Sequence, residues 1–258
     1  MRYTFFFFLF SFLLFSCGGD IQDNEVNFGE KDSLQTAKAL IPKGEIIIVE
    51  PVGDEEIVVL KSNGITLTEI KSENNEKTTL LLNTKQFVEG ENHLSFSVEG
   101  VHDYSIAYLA NNYALSQFST DIFNVELMYG NNVFLAFLTD KNGISIKTNK
   151  GSVLRNAVLG GVESLFEMKQ PHLFYHLPQA GTNEAILDFY LVNTSISENG
   201  NKVRVIINET EFVIDKWAAY KIGGLNSQEN SVRIQLLDQD GNLIEGPFND
   251  SGERKFVI

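Results

Sequence analysis

The amino-acid sequence predicts an all-β protein built as two sandwiches in tandem, and three observations carry that expectation. From Ile41 onward the apolar residues fall in short β-branched or alternating runs bounded by turn residues. No stretch beyond that point sustains a 3.6-residue apolar period over three turns, as a surface helix would. A strand–turn block in the first half also recurs in the second half at an offset of 98 residues without a gap.

Residues 1–16 form the first element. Met1-Arg2-Tyr3-Thr4 carries one positive side chain, and Phe5 to Phe15 is apolar except for Ser11. A charged start, a short apolar run and small residues after it make a secretion signal. The run is too short for a membrane span, which takes about 20 residues. Leu14-Phe15-Ser16-Cys17 resembles the lipobox of bacterial lipoproteins. That resemblance implies cleavage before Cys17, a diacylglyceryl thioether on its sulfur and N-acylation. Two or more acyl chains hold a protein on a membrane stably, where one is marginal.

Residues 17–41 read as a flexible acidic tether. Gly18-Gly19-Asp20-Ile21-Gln22-Asp23-Asn24-Glu25 either serves as a solvated spacer or resembles the surface-export signal of Bacteroidota lipoproteins. Asp32-Ser33-Leu34 fits the O-glycosylation pattern of exported proteins in that phylum, which makes Ser33 a candidate acceptor. A coil of this length reaches about 28 Å.

Residues 42–160 and 161–258 form the two sandwiches. Ile46-Ile47-Ile48-Val49, Ile57-Val58-Val59-Leu60, Ile65 to Ile70 and His93 to Val98 are short strands separated by Pro51, Gly53, Asn63-Gly64 and Asn74-Asn75. The repeat pairs Phe134-x-Ala136-x-Leu138-x-Asp140-x-x-Gly143 with Val232-x-Ile234-x-Leu236-x-Asp238-x-x-Gly241. Gly130-Asn131-Asn132 and Gln228-Glu229-Asn230 precede the two blocks, and Gly90-Glu91-Asn92 opens a third, partial copy. A turn launches a strand whose alternate residues face a core, and Asp-x-x-Gly turns the chain back. The offset matches one immunoglobulin-like domain of about 100 residues. Gly160-Gly161 is the expected hinge between the two.

Composition excludes several functions. Acidic residues number 34 against 20 Lys and Arg, for a net charge of −14, and removal of Arg2 with the leader takes it to −15. Such a chain has too few cations for a nucleic-acid partner. The single cysteine leaves no intrachain disulfide and no four-cysteine zinc site.

The stretch from His172 to Ile258 resembles a group of exported Bacteroidota proteins, mostly lipoproteins, built from immunoglobulin-like sandwiches and without assigned activity. The residues that carry this are Leu173-Phe174-Tyr175-His176-Leu177-Pro178, Leu187 to Thr194, Gly200 to Asn208, Asp215-Lys216-Trp217-Ala218-Ala219-Tyr220, Leu236 to Asn242 and Gly246-Pro247-Phe248-Asn249. It extends more loosely to Asn111-Asn112-Tyr113 and Phe134 to Leu138. Relatives carry a polar Ser-Arg-Ser-Tyr-His-Glu-Ser stretch where this chain has Thr139-Asp140-Lys141-Asn142-Gly143-Ile144-Ser145. They also carry a His-x-His pair near Ser105 and Ala107.

Candidate sites are few. His172 and His176 have a zinc spacing on a helix, but on a strand residues four apart lie about 13 Å from each other and cannot share a metal. Asp238 to Asn242 lacks the glycine and glutamate positions of a calcium hand, and Asp240-Gly241 reads as the central pair of a hairpin turn. Trp217, beside Lys216 and three residues before Tyr220, is the weak candidate for a sugar-stacking site, but a tryptophan on an immunoglobulin-like strand is more often core, and core packing is the favoured reading. No metal or cofactor is expected. The reading is a non-enzymatic binding or scaffold module of the bacterial envelope, held on the outer membrane through Cys17, with an envelope protein or glycan as partner. A hydrolase of glycans or peptides that uses paired carboxylates is the alternative.

Overall fold

The computed structural model describes residues 57–71, 77–176 and 185–258, and the backbone of 45–48. The leader, the tether, Cys17 and Ser33 lie outside the described residues. Three strands come first: β1 (Glu45–Ile48), β2 (Val58–Ser62) and β3 (Ile65–Ile70). Seven follow, namely β4 (Thr79–Leu82), β5 (Gly90–Glu99), β6 (Ser105–Ala110), β7 (Ala114–Phe118), β8 (Ile122–Leu127), β9 (Gly130–Thr139) and β10 (Ser152–Leu159). The last eight are β11 (His172–Tyr175), β12 (Ala185–Leu187), β13 (Phe189–Val192), β14 (Lys202–Ile207), β15 (Thr210–Ile214), β16 (Ala219–Gly223), β17 (Glu229–Leu237) and β18 (Arg254–Val257).

The protein is all-β, with two immunoglobulin-like sandwiches in tandem. In the first, sheet β4-β5-β8 faces sheet β10-β9-β6-β7. The second reproduces that plan: β11 pairs β13, β12 pairs β16, and β15-β14-β17-β18 forms the facing sheet. Residues 90–95 of β5 pair with β8 and residues 96–99 with β4. In the second sandwich the same division falls between β12 and β13, where Asp188 interrupts the strand.

Side chains explain the sequence repeat. Asn92, Asn132 and Asn230 are buried at the starts of β5, β9 and β17. Each accepts from the backbone N–H four residues back: Val88 at 2.9 Å, Met128 at 2.9 Å and Asn226 at 2.9 Å. Each amide nitrogen then donates to the carbonyl of that same residue, at 2.7, 2.7 and 3.0 Å. One side chain thus closes the turn that launches each strand. Replacing Asn230 with Ala removes a buried side chain and both of its hydrogen bonds to the exposed Asn226 backbone, at about 0.5–1.5 kcal/mol each. The expected loss is about 1–3 kcal/mol in chemical denaturation, against about 0.5 kcal/mol or less for an exposed control such as Glu245→Ala.

The Asp-x-x-Gly blocks work likewise. Asp140 Oδ1 accepts from the N–H groups of Asn142 and Ile144 at 2.8 and 3.0 Å, and Asp238 Oδ1 from Asp240 and Asn242 at 2.9 and 2.8 Å. Gly241 N–H donates to Asp238 O at 3.1 Å, so Gln239 and Asp240 are the central residues of the turn. That corrects the expected Asp240-Gly241 pair. Gly241 follows the turn at φ +83°, in the left-handed region, and Gly143 matches it at +80°.

Two features depart from the expected layout. A boundary at 160/161 groups residues 45–70 with the first sandwich, but β3 pairs with β16 of the second, from Ala219↔Ile70 to Gly223↔Thr66. Ile65 and Leu67 enter the second core beside Tyr220, Val205 and Ile234. The other departure concerns β9, whose buried residues do not merely alternate. Phe134, Ala136 and Leu138 face the first core. Val133, Leu135 and Phe137 face the opposite way, onto Phe166, Phe174 and Tyr190. The sandwiches therefore share a third apolar layer. Gly160 and Gly161 both have positive φ, and the two sandwiches they join are packed together through this buried layer.

Candidate functional site

The loops that join strands at one end of the first sandwich build an open basin. The β5–β6 connection supplies Val101, His102 and Asp103, and the β9–β10 connection supplies Asp140, Lys141 and Asn142, with Lys71 at the margin. The cavity holds about 350 Å³. Loops on a rigid sheet scaffold are where binding residues concentrate. Asp140 is committed to its own turn through the two amides described above. A second open cavity of about 370 Å³ lies where Asn149 and Ser152 of the first sandwich approach Leu191 to Ser195 of the second. Its lining mixes the amides and hydroxyls of Asn149, Ser152, Asn193, Thr194 and Ser195 with the aliphatic Leu191 and Val192. Asn193, however, is already bonded to the carbonyls of Met168 and Gln170 at 2.8 and 3.0 Å.

The sequence-predicted residues lie elsewhere. Tyr220 is 1% exposed, and its hydroxyl donates to Lys216 O at 2.8 Å. Trp217 is half-buried, meets Tyr190 edge-on at 5.1 Å and donates its indole N–H to Phe189 O at 3.3 Å. Tyr220 offers no open ring face to a sugar, and Trp217 packs on the junction while staying half-exposed. His172 lies in strand β11, stacked on Phe166 at 4.4 Å, with Nε2 on Glu167 O at 2.9 Å. Burial lowers its pKa against that hydrogen bond, so the ring is held neutral.

The strongest polar cluster was not legible beforehand. Ser145, Lys147 and Asp188 are all buried between the sandwiches. Asp188 Oδ2 accepts from Ser145 N–H at 2.9 Å, and its Oδ1 accepts from Ser145 Oγ at 2.7 Å. Lys147 Nζ donates to Asp188 Oδ1, to Ser145 Oγ at 2.5 Å and to Phe189 O at 2.6 Å. Burial lowers the lysine's pKa, and Asp188 opposes that shift. Burial would raise Asp188, but Lys147, His176 and the hydrogen bonds outweigh it and hold the carboxylate below its usual range. A serine and a lysine in contact are the parts of a nucleophilic dyad. Here the space beside them, lined by Leu109, Phe137, Phe174 and His176, has no room for a water-sized molecule.

No protein-family model matches the chain, and no curated protein does. Among solved structures the chain is similar to fibronectin(III)-like modules of Clostridium thermocellum CbhA, at 11% identity over 69% of this chain and 94% of that one, with a TM-score of 0.24. It is also similar to SGBP-B of the Bacteroides ovatus mixed-linkage glucan utilization locus, in complex with a mixed-linkage heptasaccharide, at 8% identity over 69% and 70% of the two chains and a TM-score of 0.23. Domains 7, 8 and 9 of the S-layer protein SbsC match at 12% identity over 79% and 68%, with a TM-score of 0.23.

The hydrolase alternative requires a carboxylic acid kept protonated by its surroundings. Among the described residues, the carboxylates with displaced acidity are all displaced the other way. They are Asp188, Asp238 through its turn hydrogen bonds beginning with Asn242, and Asp250, which the Arg233 hydrogen bond brings to about 2.

Proposed function

We propose that this protein is an envelope lipoprotein, attached to the outer membrane through Cys17, whose sandwiches act as a non-enzymatic binding module. The supporting observation is the open, polar basin formed by residues 101–103 and 140–142 at the loop end of a rigid sandwich. A site of this size, with a few convergent polar groups, suits a glycan segment or an envelope-protein loop. The lipobox-like Leu14-Phe15-Ser16-Cys17 supports the anchor. An acidic tether behind it would hold the module clear of the bilayer, with a Bacteroidota envelope as the setting.

Two measurements test the reading. Replacing Cys17 with Ser is expected to abolish palmitate labelling and release the protein from the membrane fraction; continued labelling overturns the anchor. Calorimetric titration of the full chain with a panel of soluble envelope oligosaccharides is expected to show binding that Lys141→Ala with Asn142→Ala weakens about tenfold or more. Release of cleaved products from that panel would favour the hydrolase reading and overturn this one.

A further inference from the structure

We propose that Lys147 and Asp188 condense to form an intramolecular amide that joins the two sandwiches covalently. Lys147 precedes β10 of the first sandwich, and Asp188 stands at the break between β12 and β13 of the second. Their side chains are in contact, and both are almost wholly buried, at 2% and 5% exposure. The surroundings are mainly aromatic: the Phe189 and Tyr190 rings lie 5.3 and 5.9 Å from Nζ, and Phe137, Phe174 and His176 line the same small space.

The chemistry balances without any co-reactant. The Nζ lone pair attacks Asp188 Cγ, an N–C bond forms, and one C–O bond breaks. Starting from the ion pair, the nitrogen keeps one of its three protons, and the other two leave with the departing oxygen as water. Ser145 Oγ contacts both Nζ at 2.5 Å and Oδ1 at 2.7 Å, which places a hydroxyl where it can relay protons from nitrogen to the leaving oxygen. In bulk water, amine and carboxylate stay apart as solvated ions. Held together they react at an effective concentration of about 10⁵–10⁸ M. Condensation also removes two charges from an interior where each costs several kcal/mol to desolvate.

Three other ion pairs lack one or more of these conditions. Lys216 is half-exposed opposite Glu69, and Lys255 and Glu229 both face solvent. Arg233 faces Asp250 with a guanidinium, which keeps its proton and is no nucleophile. Of these four pairs, only Lys147–Asp188 combines an amine, a carboxylate, exclusion of water and a bridging hydroxyl.

Tryptic mapping of the denatured full-length chain tests the proposal. The expected product is one branched species joining peptide 142–150 to peptide 170–202, with the summed mass less one water and no cleavage after Lys147. Recovery of peptides 142–147 and 170–202 only as separate species overturns it. Asp188→Ala is expected to abolish the branched species, and its persistence in that variant would overturn the assignment to Asp188. The wild-type map decides the matter even if the variant folds poorly.

Discussion

Residues 161–258 expressed alone are expected to aggregate or to melt without a cooperative transition, although the sequence repeat marks them as one complete domain. In the folded chain, β3 covers the edge of β16 along five paired residues and delivers Ile65 and Leu67 to the second core. Removing two fully buried aliphatic side chains costs about 1.5–3 kcal/mol each in burial alone, and the space they leave adds a cavity cost. A domain of this size has about 5–15 kcal/mol of stability in total. The fragment also exposes a row of unpaired N–H and C=O groups on β16, a template for association. Residues 45–258 are expected to melt cooperatively as a monomer. Within the full chain, Leu67→Ala should cost about 2–5 kcal/mol, and the loss should register in the second sandwich, far along the sequence. Size-exclusion chromatography and thermal melting of 161–258 beside 45–258 decide the point. Equal cooperativity in the two would mean that β1–β3 are an accessory to the second domain.

The reason this pairing escaped sequence reading is instructive. Neighbouring elements in a chain are usually neighbours in space, and β2 and β3 look like any other hairpin, with Asn63-Gly64 at the turn. Nothing local marks β16 as their partner. The repeat was legible because its determinants are local: an asparagine that closes its own turn and an aspartate that caps amides two and four residues ahead. The double burial of β9 was written in the run Phe134-Leu135-Ala136-Phe137-Leu138, which is apolar at every position. By contrast β17 places Arg233 and Gln235 between its core residues. Reading both blocks as alternating concealed that difference, and with it the third apolar layer. The basin was legible only as loop composition. Lys147 and Asp188 carried no local signal, because a lysine between Ile146 and Thr148 looks like a surface residue until its partner, 41 positions away, is known.

Tyr190→Ala should uncouple the two sandwiches. Tyr190 lies at the centre of the shared layer, 5.1 Å from the ring of Phe137 and 5.1 Å from that of Trp217. Its hydroxyl donates to Thr148 O at 2.5 Å, in the segment that leads into β10. Truncating a buried aromatic costs about 3–5 kcal/mol, and losing the hydrogen bond to the carbonyl of the half-buried Thr148 adds about 0.5–1.5 kcal/mol. The loss falls at the junction, because the first core runs through Phe134, Ala136 and Leu138 and the second through Val203, Val205 and Ile234. Wild-type protein is therefore expected to unfold in one transition seen alike by all probes, and the variant in two. Trp217, the only tryptophan in the chain, reports on the junction directly. Its fluorescence should shift in the variant at denaturant concentrations where the β-sheet circular dichroism still persists. If the two signals stayed coincident in the variant, with a single lowered midpoint, cooperativity would have to run through the polar links instead. The link from Asn112 Oδ1 to Tyr175 N–H at 2.7 Å would then be the first to remove.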